Sequence, residues 1–172
     1  PVHPSIKLGD SDAGYYIDAW IETMRNLADQ GLQVICYNFM PVVDWTRTDL
    51  RYPTGRGGLA LRFDPLEFAV YDLFVLQRTS AEADYDAAIV KQAEACHADM
   101  DAAAIERLEA TIIAGLPGSE LSHGREGVRA AIAEYDGLTA DALRANLITF
   151  LKKAAPAAEA CGARICLHPD GP

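Results

Sequence analysis

No apolar run in this chain reaches the roughly 18 residues needed to cross a bilayer. No charged n-region leads into an apolar segment, so nothing reads as a signal peptide. Basic residues are in deficit: 15 Lys and Arg stand against 25 Asp and Glu, a net charge of −10. That balance argues against a nucleic-acid or anionic-membrane partner, because both need a basic surface to displace counterions. Cysteine is scarce, and none of Cys36, Cys96, Cys161 and Cys166 makes a C-x-x-C pair. Zinc-ribbon and dithiol-redox motifs are therefore excluded, and all four thiols read as reduced in a cytoplasmic protein, with Cys36 and Cys166 as small hydrophobes in buried strands. Gly55, Gly57 and Gly58 are not followed by Lys-Ser/Thr, so they do not form a phosphate loop. There is no G-x-S-x-G elbow, no internal repeat beyond the two units below and no low-complexity linker.

What is present is a globular composition. Half of the 172 residues are hydrophobic and mean hydropathy is zero, enough for one domain with a core. The chain does not begin with Met and ends in His-Pro-Asp-Gly-Pro. Both ends read as cuts through a longer protein.

The apolar periodicity predicts a helix over 14–30, with Ile17, Trp20, Ile21, Met24, Leu27 and Ala28 on one face and Gly31 as its terminator. A nearly continuous apolar strand over 32–39, of the kind buried on both faces, follows. The same unit returns later. Thr139 caps a helix with Leu143, Leu147, Phe150, Leu151, Ala154 and Ala158 on one stripe, Pro156 predicts a kink or break, Gly162 closes it, and 163–168 is a strand. Helix then buried strand, twice, indicates an α/β protein with a parallel sheet. About a hundred residues separate the two units, too many for a plain connection. Tyr52–Leu59 reads as a glycine-rich turn region, Leu61–Gln77 as extended or helical, 81–114 and 125–135 as helical, with a breaker at Leu116-Pro117-Gly118. Pro1 to Ile6 reads as the tail of a strand.

Chemistry concentrates just past strand ends, where α/β proteins place it. The strand beginning at Val34 changes character at Asn38 and then delivers Asp44, Trp45, Thr46, Arg47, Thr48 and Asp49. Trp45 and Arg47 can wall and clamp a polar ligand, whereas Asp44 and Asp49 suit Asx-type turn bonds. Arg47, Arg51, Arg56 and Arg62 form a local basic cluster that is either a small-anion site or a solvated loop. His168 ends the last strand, with Asp170 two residues on, and is a candidate metal ligand whose plain alternative is a hydrogen-bonded strand end. His3 has the same look. Three polar strand ends, His3, Asn38 and His168, make a better signal than any one of them. His97 and His123 read as solvated surface.

Several of these segments carry a resemblance. Cys36-Tyr-Asn-Phe-Met-Pro-Val-Val-Asp-Trp-Thr-Arg-Thr-Asp-Leu50 closely resembles the mannonate dehydratase family. So do Ala60-Leu-Arg-Phe-Asp64 with Glu67-Phe-Ala69, Ile112-Ile-Ala-Gly-Leu-Pro-Gly118 and His168-Pro-Asp170, in the family's order and over the whole chain. Gly171 departs from the acidic residue of relatives. The resemblance implies a (β/α)8 TIM barrel of the xylose-isomerase-like group. This chain would hold about strands 2–4 as one partial-barrel domain, with residues 51–136 as a largely helical insertion between strands 3 and 4. It implies dehydration of D-mannonate to 2-dehydro-3-deoxy-D-gluconate in hexuronate catabolism, with Mn²⁺ or Fe²⁺ as cofactor, and a homo-oligomer in the full-length form. His168 matches the first metal ligand of the family. The other ligands and the main acid–base groups would lie beyond Pro172, so the isolated segment is expected to be inactive and prone to self-association. Asn38, Trp45, Arg47 and His3 are the expected substrate-binding residues, on position alone. Two alternatives remain: another metal-dependent barrel isomerase or epimerase on sugars, and a non-catalytic sugar-acid binding protein.

Overall fold

The computed structural model describes residues 2–42, 46–114 and 124–168. The chain is mixed α/β and divides into two compact units, one of Pro1–Pro41 with Tyr135–Asp170, the other built from Val42–Glu134. Among the described residues, no helix is long and apolar enough to cross a membrane.

In the first unit, α1 (Pro4–Leu8) replaces the strand tail expected at the start. The reason is local: Pro4 fixes a helical φ at the first position, and His3 caps the turn by accepting at Nδ1 from Ser5 N at 3.2 Å. Gly9, at φ +77°, ends it. Helix α2 (Ala13–Asp29) buries Ile17, Ile21 and Met24, as its periodicity predicts. Gly31, at φ +86°, lets Leu32 N reach back to Leu27 O at 3.1 Å and stop the helix. Strand β1 (Val34–Tyr37) then pairs in parallel with β4 (Arg164–Leu167), Val34 opposite Arg164 and Cys36 opposite Cys166. Between them in sequence, α7 (Ala140–Ala160) starts at Thr139, whose hydroxyl accepts from Ala142 N at 3.1 Å.

Pro156 does not break α7, which runs four residues past it. The carbonyl that loses its donor belongs to Lys152, on the exposed side, where water can satisfy it. The core is aromatic. Phe150 is fully buried, with ring centroids 5.0 Å from Trp20, 5.5 Å from Tyr37 and 6.3 Å from Phe39. Asn146 ties α7 to α1 through a 2.8 Å bond to Lys7 O.

The two strands are not buried on both faces. Alternation turns Ile35, Tyr37 and Ile165 onto the helices, while Val34 (57 % exposed), Cys36, Arg164 and Cys166 lie on an open face. Among the described residues, α7 packs on β4 and Trp20 of α2 lies against Tyr37, so one face is covered, and apolar character alone could not show which.

The second unit opens with an antiparallel hairpin, β2 (Asp49–Pro53) and β3 (Leu59–Arg62), where sequence showed only a glycine-rich turn. Gly57, at φ +81°, makes the turn, and Thr54 N bonds Gly58 O at 2.8 Å. Asp64 then caps α3 (Pro65–Val70), accepting from Leu66 N and Glu67 N, which gives Arg62-Phe-Asp64 a plain structural role. A π-helical segment (Tyr71–Leu76) continues it to Gln77, at φ +53°. A 3-10 turn (Ala81–Asp84), α4 (Ala87–Asp99), α5 (Ala102–Ala114) and α6 (Gly124–Ala133) complete the unit, around Val70, Tyr71, Val75, Ala93, Leu108, Ile112 and Val128. The expected breaker at Leu116-Pro117-Gly118 lies outside the described residues.

Candidate functional site

The parallel register sets the site's frame. With Tyr37 opposite Leu167, the next positions are Asn38 and His168, and His168 N donates to Tyr37 O at 2.7 Å. Both residues therefore stand at the carboxyl edge of one sheet, two residues beyond the facing cysteines and on the same face as them by alternation. Asn38 is half-buried and His168 exposed. Residues 130 positions apart are brought together here, as strand-end reasoning expects.

His3 belongs to this unit too, but not as a strand end. It is the cap of α1, and its ring lies flat on Tyr16, with centroids 3.4 Å apart and planes 5° off parallel. Because Nδ1 accepts from Ser5, the neutral ring carries its proton on Nε2, which is then a donor for a hydroxyl or carboxylate.

Arg47 lies in the second unit, half-buried, with a guanidinium nitrogen donating to Thr46 O at 2.7 Å. Asp49 accepts from Arg51 N at 2.7 Å, the turn bond expected of it. Arg62 pairs with Asp64 and lies over the Tyr52 ring at 4.7 Å, so one member of the arginine cluster is structurally engaged. Asp44, Trp45 and His123 lie outside the described residues. His97 is not a solvated histidine: it is half-buried and stacks on Phe74 at 5.2 Å.

Among the described residues, no three His, Cys, Asp or Glu side chains converge to hold a metal ion. His168 suits Mn²⁺ or Fe²⁺ as a donor type, but one imidazole falls short of a donor set. The described residues alone therefore do not fit a transition-metal centre.

The second unit contains the polar feature that sequence reasoning missed. Asp72, 3 % exposed, accepts two bonds from Arg78 Nε at 2.9 and 3.2 Å, one from an Arg78 terminal nitrogen at 2.8 Å and one from Tyr85 OH at 3.0 Å. Arg78 also pairs with Asp84 at 2.8 Å. The hydrogen bond to Asp72 is the largest cause raising the Arg78 pKa above its usual value. Burial first, and Asp72 second, push the Tyr85 phenol up. Tyr71 is pushed to about 12, mainly by burial, and neither its hydroxyl nor Glu67 Oε2 has a hydrogen-bond partner among the described residues. The i, i+6 spacing of Asp72 and Arg78 was no signal, because only the turn after the π-helical segment folds one onto the other.

A parallel strand pair with polar groups gathered at its carboxyl edge is the arrangement of α/β proteins that bind small molecules beyond their strand ends. The model of the D-mannonate dehydratase (UxuA) family matches residues 1–172, and the chain belongs to that family. It is 50 % identical to the mannonate dehydratase of Chromohalobacter salexigens and 46 % identical to mannonate dehydratase 2 of Agrobacterium fabrum, in each case over all of its residues. It spans 44 % and 43 % of those two relatives, less than half of either. The crystal structure of mannonate dehydratase from Streptococcus suis serotype 2 superposes with a TM-score of 0.60 at 28 % identity, over 99 % of this chain and 35 % of that one.

Proposed function

We propose that this chain forms part of a hydro-lyase that dehydrates D-mannonate to 2-dehydro-3-deoxy-D-gluconate. The supporting observation is that Asn38 and His168 each follow the last paired residues, Tyr37 and Leu167, at one sheet edge, in a chain matched along its whole length by the mannonate dehydratase family. In this reading β1 and β4 are neighbouring strands of a (β/α)8 barrel of which the chain holds about strands 2–4, and residues 51–136 are an insertion between strands 3 and 4.

The reaction removes a proton α to a carboxylate and expels the β-hydroxyl. His168 would give one ligand to Mn²⁺ or Fe²⁺, with the remaining ligands supplied by residues other than those described. A metal completed by those other ligands would supply electrostatic stabilisation of negative charge on the substrate. Asn38 offers an amide donor and acceptor at the same edge. Arg47, with Trp45, suits the substrate carboxylate, since a planar guanidinium can make two parallel bonds to it. His3 Nε2–H is a donor for a sugar hydroxyl. The enzyme is read as cytoplasmic and as a homo-oligomer when complete.

The test is an intact-mass measurement on the purified enzyme paired with a D-mannonate assay in added Mn²⁺. The expected result is a complete enzyme that forms the 2-keto-3-deoxy acid and leaves neutral ketoses untouched. In it, His168→Ala lowers bound metal and turnover together, and Arg47→Ala raises KM by about tenfold, near 1.4 kcal/mol. Turnover of a neutral ketose, or D-mannonate binding without product at full mass, overturns the reading.

A further inference from the structure

His3 is held by two contacts that act on different parts of its ring. Ser5 N donates to Nδ1 at 3.2 Å and so occupies one edge. Tyr16 covers one face, with centroids 3.4 Å apart and planes 5° off parallel. The bond sets which nitrogen is taken, and the stack sets the plane of the ring. What remains for a ligand is the Nε2 edge, a donor in the neutral ring.

The fold brings this pair to the edge where Asn38 and His168 stand. Helix α2 passes into β1 through the reversal at Gly31, so its first turn lies toward the carboxyl end of β1. Trp20, one turn after Tyr16, meets the ring of Tyr37, the last residue of β1, at 6.1 Å. At about 1.5 Å per helical residue and about 3.3 Å per extended one, Tyr16 and Asn38 both stand roughly 22–23 Å from Gly31. Tyr16 is therefore level with Asn38, and His3 lies against it. Tyr16 is half-buried on a regular helix and packs on the aromatic core of the first unit. It is a fixed platform, and a side chain laid on such a platform keeps one ligand-binding geometry.

We propose that Tyr16 is a positioning residue, which holds the His3 imidazole so that Nε2–H donates to a hydroxyl oxygen of the sugar acid. This rests on reading the chain as part of a mannonate dehydratase. Tyr16 acts through His3 alone, and it needs only its ring, not its phenol oxygen.

The test uses the complete enzyme with D-mannonate. His3→Ala should raise KM about tenfold and Tyr16→Leu about fivefold, with kcat kept within about twofold in each. Leucine preserves the apolar contact with the core and removes only the stack. Tyr16→Phe restores the parent KM, and in the His3→Ala background Tyr16→Leu raises KM no further. A second readout needs no turnover. With labelled histidine, the His3 Cε1–H resonance should lie upfield under the Tyr16 ring current, stay there in Tyr16→Phe and move back in Tyr16→Leu. An unchanged KM in Tyr16→Leu, or a rise that persists in the His3→Ala background, overturns the proposal and leaves the dehydratase reading standing. So does a His3 resonance without the upfield displacement in the unsubstituted enzyme, whatever the folding of the variants. Absence of D-mannonate turnover by the unsubstituted enzyme overturns the dehydratase reading and this role with it, while the resonance still reports the stack.

Discussion

Phe150 in the first unit and Asp72 in the second are both shut off from water. Around Phe150 the neighbours are Trp20, Tyr37 and Phe39, while Arg144 with Asp141 and, at 4.0 Å, Lys153 with Asp18 are exposed ion pairs of that unit. Around Asp72 the neighbours are Arg78 and Tyr85, and Arg125 makes a second two-bond pair with Glu109 at 2.6 and 2.7 Å. Arg129 adds a bond to Leu76 O at 2.6 Å. The first unit is therefore held by apolar burial, and its polar Asn38 and His168 stand at a sheet edge. The second uses its charges to fix its own turns. Polar groups at the first unit's edge suit ligand binding; the well-paired polar groups of the second suit architecture.

Phe150→Ala should have the largest effect. Removing the ring from a closed aromatic cluster costs about 3–5 kcal/mol, read from urea unfolding. Loss of hydrogen-exchange protection in α2 and α7 would accompany it. A cost below about 1 kcal/mol would show that the aromatic cluster does not hold this unit.

Arg78→Met strips the buried Asp72 carboxylate of its main partner and leaves only the Tyr85 hydroxyl. A loss of about 2–4 kcal/mol is expected, held below a complete loss by the surviving Tyr85 bond. Protection should fall around the π-helical segment and α4 while α2 and α7 keep theirs. The reverse pattern would break the contrast between the units.

Gly9→Ala tests a junction inside the first unit. The residue sits at φ +77°, and a Cβ there would meet the Asn146 amide at 2.8 Å. The Asn146 side chain can swing away, but only by giving up Lys7 O, so about 1–2 kcal/mol should be lost. A thermal melt in which Gly9→Ala and Asn146→Ala add fully would separate the two effects and refute the coupling.

The units should also part at alkaline pH. Tyr71 has a folded pKa of about 12 against an ordinary 10. A raised tyrosine pKa means that stability is intact below pH 10 and is lost as pH climbs from 10 through 12. Ultraviolet phenolate titration with exchange mass spectrometry should show the second unit opening in that window. Phenolate formation at Tyr71 near pH 10, without opening, would contradict it. Smallest of all, Arg144→Ala removes an exposed pair spaced three residues apart and should change stability by no more than about 0.5 kcal/mol.

Much of the first unit was legible because its signals are local and periodic. The apolar stripe of α2, Gly31, the Thr139 cap and Gly162 each act within one turn of helix. The β2–β3 hairpin was not legible, since exposed strands bearing Arg51, Pro53 and Arg62 carry no apolar alternation. His3 was misread as a strand end because a His-Pro pair fits both an extended end and a helix cap, and only the bond to Ser5 N separates them. Of the kink or break read at Pro156, the break does not occur, because the cost of a proline depends on whether the freed carbonyl can reach water.

By itself the sequence determined the α/β class, the boundaries of α2 and α7 and the family, because hydrophobic period, capping chemistry and motif order are properties of neighbouring residues. Tertiary structure alone decided which face of β1 is covered, that Asp72, Arg78 and Tyr85 form one network, and that Cys36 lies opposite Cys166, two residues before Asn38 and His168. Those facts depend on strand register and on how a turn folds back. Neither is written in local spacing, because a pairing between residues 130 positions apart is set by the packing of the helices that carry the strands.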